Sequence, residues 1–168
     1  MQSIIANNRN NAVNDYINKA CRYIINFCLD RSIGVLVIGY NETLQRGIAL
    51  GKQTNQNFVN IPIAEIKRKL EYLCKMYGIL FIKQEESYTS QASFWDNDII
   101  PVYNVDNPQT HIFSGKRVKR GLYRKGNGGY LNSDINGALN IMKKSSVVGL
   151  TTLYSRGEVD TPVRIRVS

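Results

Sequence analysis

Three acids in this 168-residue chain stand where hydrolytic chemistry could be organised: Glu85, Glu86 and Asp134. A site that cleaves phosphodiesters needs carboxylates that hold Mg2+ or Mn2+, because such ions activate water and neutralise the leaving oxygen. Glu85 and Glu86 follow the apolar run Ile79-Leu80-Phe81-Ile82, and Asp134 precedes Ile135, Ala138, Leu139, Ile141 and Met142 at helical spacing. Ligands of parallel α/β sheets gather beyond the carboxyl ends of the strands. Acids at a strand end and at a helix start could converge in that place. Each acid also has a plainer role. Asp134 is suited to capping its helix, and Glu85 and Glu86 to being solvated where a strand leaves the core. Spacing alone leaves both roles open.

The formal charge is +9, and the excess is concentrated. Lys116, Arg117, Lys119, Arg120, Arg124 and Lys125 fall in one stretch with no acid among them, and Arg156, Arg164 and Arg166 add to it near the end. Clustered cations suit a polyanion, because each neutralised phosphate releases condensed counterions. A Lys-rich soluble domain is the bland alternative. Cys21, Cys28 and Cys74 form no C-x-x-C pair, and the single His111 has no partner at ligand spacing. They read as reduced core thiols of a cytoplasmic protein. No signal peptide is visible and no apolar run is long enough to span a membrane, so no membrane partner is expected.

The elements that must position the acids follow from periodicity. Val13, Tyr16, Ile17, Ala20, Ile24, Phe27 and Cys28 form a helical stripe between about residues 10 and 31. The continuous β-branched run at 33–40 predicts a strand buried on both faces, as in a parallel sheet. Residues 41–60 are polar and irregular. Pro62 then opens a second helix with the stripe Ile63, Ile66, Leu70, Leu73, Cys74 and Tyr77, and Gly78 ends it. A second buried strand runs from Ile79 to Ile82, completing a βαβ unit. From 87 to 131 periodicity is lost, and Pro101, Pro108 and the Gly-rich turn at 126–129 suggest an excursion with short hairpins. A helix begins at Asn132-Ser133-Asp134. The tail from 146 to 168 is β-prone but unpatterned, as a disordered tail would be.

Several of these segments, taken together, resemble the TnpB/OrfB family of insertion-sequence proteins. Val37-Ile38-Gly39-Tyr40-Asn41, Gly51-Lys52-Gln53, Asn57-Phe58-Val59 and Ile61-Pro62 are similar to the family's central RuvC region. Glu85-Glu86-Ser87-Tyr88-Thr89-Ser90 resembles its E-x-Y-T-S segment, and 115–123 resembles the basic stretch of one branch. Asn132-Ser133-Asp134-Ile135-Asn136-Gly137-Ala138-Leu139-Asn140-Ile141 resembles its closing D-[IV]-N-[GA]-[AS]-x-N-I motif. The ordered set covers most of residues 10–145.

The resemblance implies an α/β fold: a partial RNase H-like (RuvC) domain with a basic, mostly irregular insertion. Residues 1–86 would form its central helix–strand–helix–strand part, 87–131 a target-nucleic-acid-binding insertion, 132–145 the closing helix and 146–168 the tail. It implies RNA-guided, Mg2+- or Mn2+-dependent cleavage of DNA, with DNA and a guide RNA as partners. Asp134 matches the last catalytic Asp. Gly39 stands where most members have the middle glutamate, so the resemblance implies that this ligand has moved to the neighbouring strand end, with Glu86 favoured and Glu85 the alternative. Lys52 joins Lys116, Arg117, Lys119, Arg120, Arg124 and Lys125 as an expected nucleic-acid contact. Many members carry a four-cysteine zinc ribbon after T-S. No Cys follows here, so no zinc is expected, and the insertion must cohere otherwise, around Phe94, Trp95, Tyr103 and Phe113. Those aromatics could alternatively stack on bases. The family's first catalytic Asp lies on a strand before the first helix of this chain. The expectation is therefore a truncated, transposase-like, DNA-binding relative, inactive alone. The alternatives are a non-catalytic nucleic-acid-binding module, or half of a split nuclease completed by an upstream fragment.

Overall fold

The first helix, α1 (Gln2–Asp30), begins earlier than the apolar stripe predicts and buries a narrower face. Ile17, Cys21, Ile25 and Cys28 are its buried side chains, whereas Tyr16 and Phe27 are exposed. The four sit at i, i+4, i+8 and i+11, a single seam. One helix covers that seam: α2 (Ile63–Met76), through Leu70, Leu73 and Cys74. With α2 packed along that strip, Ile25 rather than the expected Ile24 lies at its centre. All three thiols are free and buried, and burial pushes each of them up from its ordinary pKa. We identify this arrangement in a computed structural model, which describes residues 2–40, 62–104, 106–150, 153 and 162–166. Lys52, the 51–61 motif segments and Arg156 lie outside the described residues.

Both helices stop by turning left-handed. Ser32 (φ 52°) follows α1, with the Ile33 N–H donating to the Cys28 carbonyl at 2.8 Å. Gly78 (φ 71°) follows α2, with the Ile79 N–H donating to Cys74 O at 2.9 Å, as the expected glycine stop requires. Each stop leads directly into a strand.

Strand β1 (Val35–Tyr40) pairs with β2 (Leu80–Glu85). The Leu80 N–H donates to Gly34 O and the Glu86 N–H to Tyr40 O, so both partners advance in the same direction and the pair is parallel. The β–α–β order matches the sequence reading, and β2 runs three residues further than the apolar run. Burial does not match it. Every residue of β1 is half-buried, and Leu80 of β2 is 57% exposed. Among the described residues this sheet has two strands and none flanking them to bury both faces, which is the physical reason for the difference.

The basic segment contains short antiparallel strands, as an excursion with short hairpins would. Strands β3 (Lys116–Lys119), β4 (Leu122–Arg124) and β5 (Tyr130–Asn132) form an antiparallel sheet in the order β3-β4-β5. Helix α3 (Ser133–Ser145) follows β5 directly. The chain divides into two compact units. One holds α1, α2 and the starts of β1 and β2; the other holds the ends of those strands with β3, β4, β5 and α3. Within the second unit Tyr123, Phe94, Leu131 and Leu139 are buried. The Tyr123 hydroxyl donates to Gln91 O at 2.7 Å, and burial, with Asp98 nearby, pushes its pKa up to about 12. No helix among the described residues is long and apolar enough to cross a membrane.

Candidate nucleic-acid interface and carboxylate site

The second unit contains all three acids singled out in the sequence, and it treats each differently. Glu85, the last residue of β2, accepts the Ser87 N–H at 2.5 Å and forms an ion pair with Lys144 of α3. The Lys144 side chain is 8% exposed, and its ammonium also donates to Ser87 O at 3.2 Å and Pro101 O at 3.0 Å. Burial raises the Glu85 pKa, but the hydrogen bonds from Lys144 and Ser87 outweigh it and hold the carboxyl below its usual value. Glu85 is thereby committed to structure.

Glu86 points elsewhere. A side chain built on Gly39 would collide with the Glu86 carboxylate, and would stand 2.8 Å from Ile141 Cδ1 of α3. The missing side chain on β1 is therefore the space that the neighbouring strand's glutamate occupies. Glu86 is half-buried there, and its carbonyl is fixed by the Thr89 N–H at 3.2 Å and hydroxyl at 2.8 Å.

Asp134 is exposed and does not cap its helix. Asn132 does: its Oδ1 accepts the N–H groups of Asp134 at 2.8 Å and Ile135 at 3.2 Å. The capping role that competed with catalysis for Asp134 thus belongs to another residue. Asp134 lies seven positions before Ile141, on nearly the same face of α3, about 10 Å along the axis from the Gly39 contact. Carboxylates suit a hard divalent cation. Yet no three His, Cys, Asp or Glu residues are grouped to hold one among the described residues. This set by itself does not build a complete metal centre, and no chemical step is derived through one.

Two residues that sequence reasoning passed over hold the segment after Glu86 in place. Asn136 and Asn140 of α3 are fully buried. The Phe94 N–H donates to Asn136 Oδ1 at 3.0 Å, and Asn136 Nδ2 donates to Ala92 O at 2.8 Å. Asn140 Nδ2 donates to Thr89 O at 2.9 Å and Ala92 O at 2.7 Å. Their signal was available: two amides at i and i+4 beside Leu139, on the apolar side of a helix, are not solvent residues.

The insertion coheres through two aspartates as well as its aromatics. Asp98 Oδ2 accepts the N–H groups of Ser93 at 2.7 Å and Ser114 at 3.1 Å, and its Oδ1 accepts the Ser114 hydroxyl at 2.5 Å. Asp96 accepts the Gly126 N–H at 2.8 Å and the Ser93 hydroxyl. Of the four aromatics expected to form its core, Phe94 is fully buried and meets Trp95 edge-on at 5.4 Å, while Tyr103 is 42% exposed.

The six cations surround the β3–β4 hairpin. Lys116, Arg117, Lys119, Arg120 and Arg124 are exposed and Lys125 is half-buried. None of the six pairs with a carboxylate among the described residues. Register sorts them by face. Tyr123 pairs with Leu131, both buried; Arg124 pairs with Lys116 on one side and Tyr130 on the other. Because cross-strand partners share a face, Lys116, Arg124 and Tyr130 form a row on the outer face. Lys116, Arg124 and Lys125 also line a cleft of about 320 Å³ with Phe113, Ser114, Gly115 and Gly126.

Comparison with known proteins agrees with this geometry. The family model described as Cas12f1-like, TNB domain, matches residues 64–141, just under half of the chain. Among solved structures, the chain is similar to one in the cryo-EM structure of a Cas12f1–sgRNA–target DNA complex, at 20% identity and a TM-score of 0.57. The match covers 87% of this chain and 37% of that one, so this chain spans little more than a third of that relative's length. No curated protein matches. Both comparisons place this mixed α/β chain with small sheets beside Cas12f1-like proteins, as a likeness in sequence over 64–141 and in fold over most of the chain.

Proposed function

We propose that this chain is a nucleic-acid-binding part of a TnpB/Cas12f-like RNA-guided nuclease, related to the transposase-associated proteins of insertion sequences. The observation that carries the reading is the β3–β4 hairpin, whose cations are free of carboxylate partners among the described residues, with the exposed Lys116 and Arg124 in a row with Tyr130 on one face. DNA is the expected target and a guide RNA the expected partner, as in the complex that the similar structure contains. The α/β core is read as part of an RNase H-like (RuvC) domain. Glu86, in the space left by Gly39, and Asp134 are its inherited acids for Mg2+ or Mn2+. Glu85 is the weaker candidate, because Lys144 neutralises it. With no third acid grouped beside them among the described residues, the chain binds rather than cuts when alone.

Fluorescence anisotropy of the full chain with labelled single-stranded DNA, RNA and duplex, across a salt series, tests this. Affinity is expected to fall steeply with salt. Replacing Lys116, Arg124 and Lys125 with Ala is expected to lower the log–log slope by up to about 0.7 per lost contact on single strands. Absence of binding at low salt would remove the reading.

The Glu86–Gly39 arrangement favours a second reading, in which a partner polypeptide supplies the remaining acid of a split nuclease. Metal-dependent nicking on adding such a fragment, lost with Glu86→Gln, would support it. Failure of the fragments to associate would end it.

A further inference from the structure

The segment after Glu86 places Tyr88 in a left-handed conformation (φ 61°), where a bulky non-glycine residue is uncommon and strained. Two hydrogen bonds hold it there: the N–H groups of Gln91 and Ala92 both donate to the Tyr88 carbonyl, at 3.0 and 2.9 Å. The Tyr88 ring is thereby fixed among three others. His111 meets it edge-on at 4.9 Å, Phe113 lies at 6.1 Å and Tyr103 at 6.3 Å. Tyr88 and His111 wall a cavity of about 210 Å³, completed by Pro101, Val102 and the amide residues Asn104, Asn107 and Gln109. Asn104 Oδ1 is occupied by the N–H groups of Asp106 and Asn107, at 2.9 and 3.3 Å. Its Nδ2 donors, and the whole side-chain amide of Gln109, have no partner among the described residues.

Aromatic walls select a planar π system, and unengaged amides select one with donors and acceptors on its edge. A third feature narrows the ligand further. Phe113, in ring contact with Tyr88 and at 6.4 Å from His111, also lines the cleft that holds Lys116, Arg124 and Lys125. One residue thus stands between an aromatic–amide cavity and a tri-cationic cleft. A flat, hydrogen-bonding ring joined to an anion is a nucleotide.

We propose that the Tyr88–His111 cavity receives one unpaired nucleobase of a single strand, whose neighbouring phosphate sits in the Lys116–Arg124–Lys125 cleft. This rests on the nucleic-acid-binding reading of the hairpin and adds to it a base-dependent contact. In a duplex the base is stacked and paired, so the cavity favours single strands over the same sequence in duplex form.

The test uses the full, unaltered chain with three labelled oligonucleotides of one length: a single strand, the same strand with abasic residues through its centre, and the duplex. The abasic strand is expected to bind about 5- to 150-fold more weakly than the intact strand, the range of one stacked base, with an unchanged salt slope. Tyr88→Leu and His111→Ala, each checked for folding by circular dichroism, are expected to weaken the intact strand and leave the abasic strand as it was. Equal affinity for intact and abasic strands would overturn the base pocket while leaving the cationic surface standing. Failure of every oligonucleotide to bind at low salt would remove both.

Discussion

The carboxylate of Glu86, the residue after β2, fills the volume that a side chain on Gly39 of β1 would need. A small residue on one strand and an acid at the end of the next are therefore one arrangement. Gly39→Ala is expected to destabilise by about 1–3 kcal/mol, the usual cost of overpacking. That corresponds to roughly 2–4 °C in Tm per kcal/mol for a chain of this size. Adding Glu86→Ala should recover part of the loss, because the first collision is with that side chain; the contact with Ile141 remains. Strict additivity in this double-mutant cycle, followed by thermal unfolding, would show that the two positions are not coupled.

Removing Lys144 should expose how much Glu85 depends on it. Lys144→Ala leaves a half-buried carboxylate and two carbonyls without their donor, and a loss toward the low end of about 3–5 kcal/mol is expected. The pH dependence has a definite sign. The folded Glu85 pKa is lowered, so its stabilising contribution is present above the unfolded value near 4.5 and is lost as pH falls through the lower folded value. Urea midpoints between pH 6 and pH 3 should therefore fall less steeply in Lys144→Ala than in the parent.

Tyr123 sets the alkaline limit. Its folded pKa, about 12, lies above the ordinary tyrosine value of 10.0, so the neutral phenol's contribution is intact below pH 10 and is lost as pH rises through about 12. Ultraviolet titration at the tyrosinate band should show one phenol ionising late and together with unfolding. Tyr123→Phe should remove that step. A normal titration of all ten tyrosines would contradict the burial described for this one.

The assignment of the α3 cap is tested by comparing Asn132→Ala with Asp134→Ala. Loss of the true cap costs about 0.5–2 kcal/mol, whereas removing an exposed acid from the first turn forfeits only its dipole interaction, about 0.3–1 kcal/mol. Asn136→Ala should exceed both, at about 2–3 kcal/mol, because it strands the buried Phe94 N–H. A larger effect at Asp134 than at Asn132 would return the cap to Asp134.

The helices and the β–α–β order were legible because their apolar residues recur at the period of a covered face. Which residues of α1 reach the core was not, since the choice of Ile25 over Ile24 depends on where α2 packs against it. That Glu85 forms an ion pair while Glu86 does not was likewise hidden, because it turns on Lys144, fifty-nine positions away from Glu85 in the chain. Asn136 and Asn140 were quoted as motif letters without a role. Their work is to satisfy the backbone of a distant loop, and no local pattern states that. The strands of the basic segment are too short, at three or four residues, to carry a readable alternation.

Asp96 and Asp98 tie Ser93, Ser114 and Gly126 together with carboxylate oxygens alone. A knot made of hydrogen bonds within one chain depends on neither a metal ion nor a thiol for those links. The 87–131 segment, which contains no cysteine, should keep its shape in chelator and in peroxide alike. A response of this protein to EDTA would then bear on the metal-binding role proposed for Glu86 and Asp134, undisturbed by collapse of this segment.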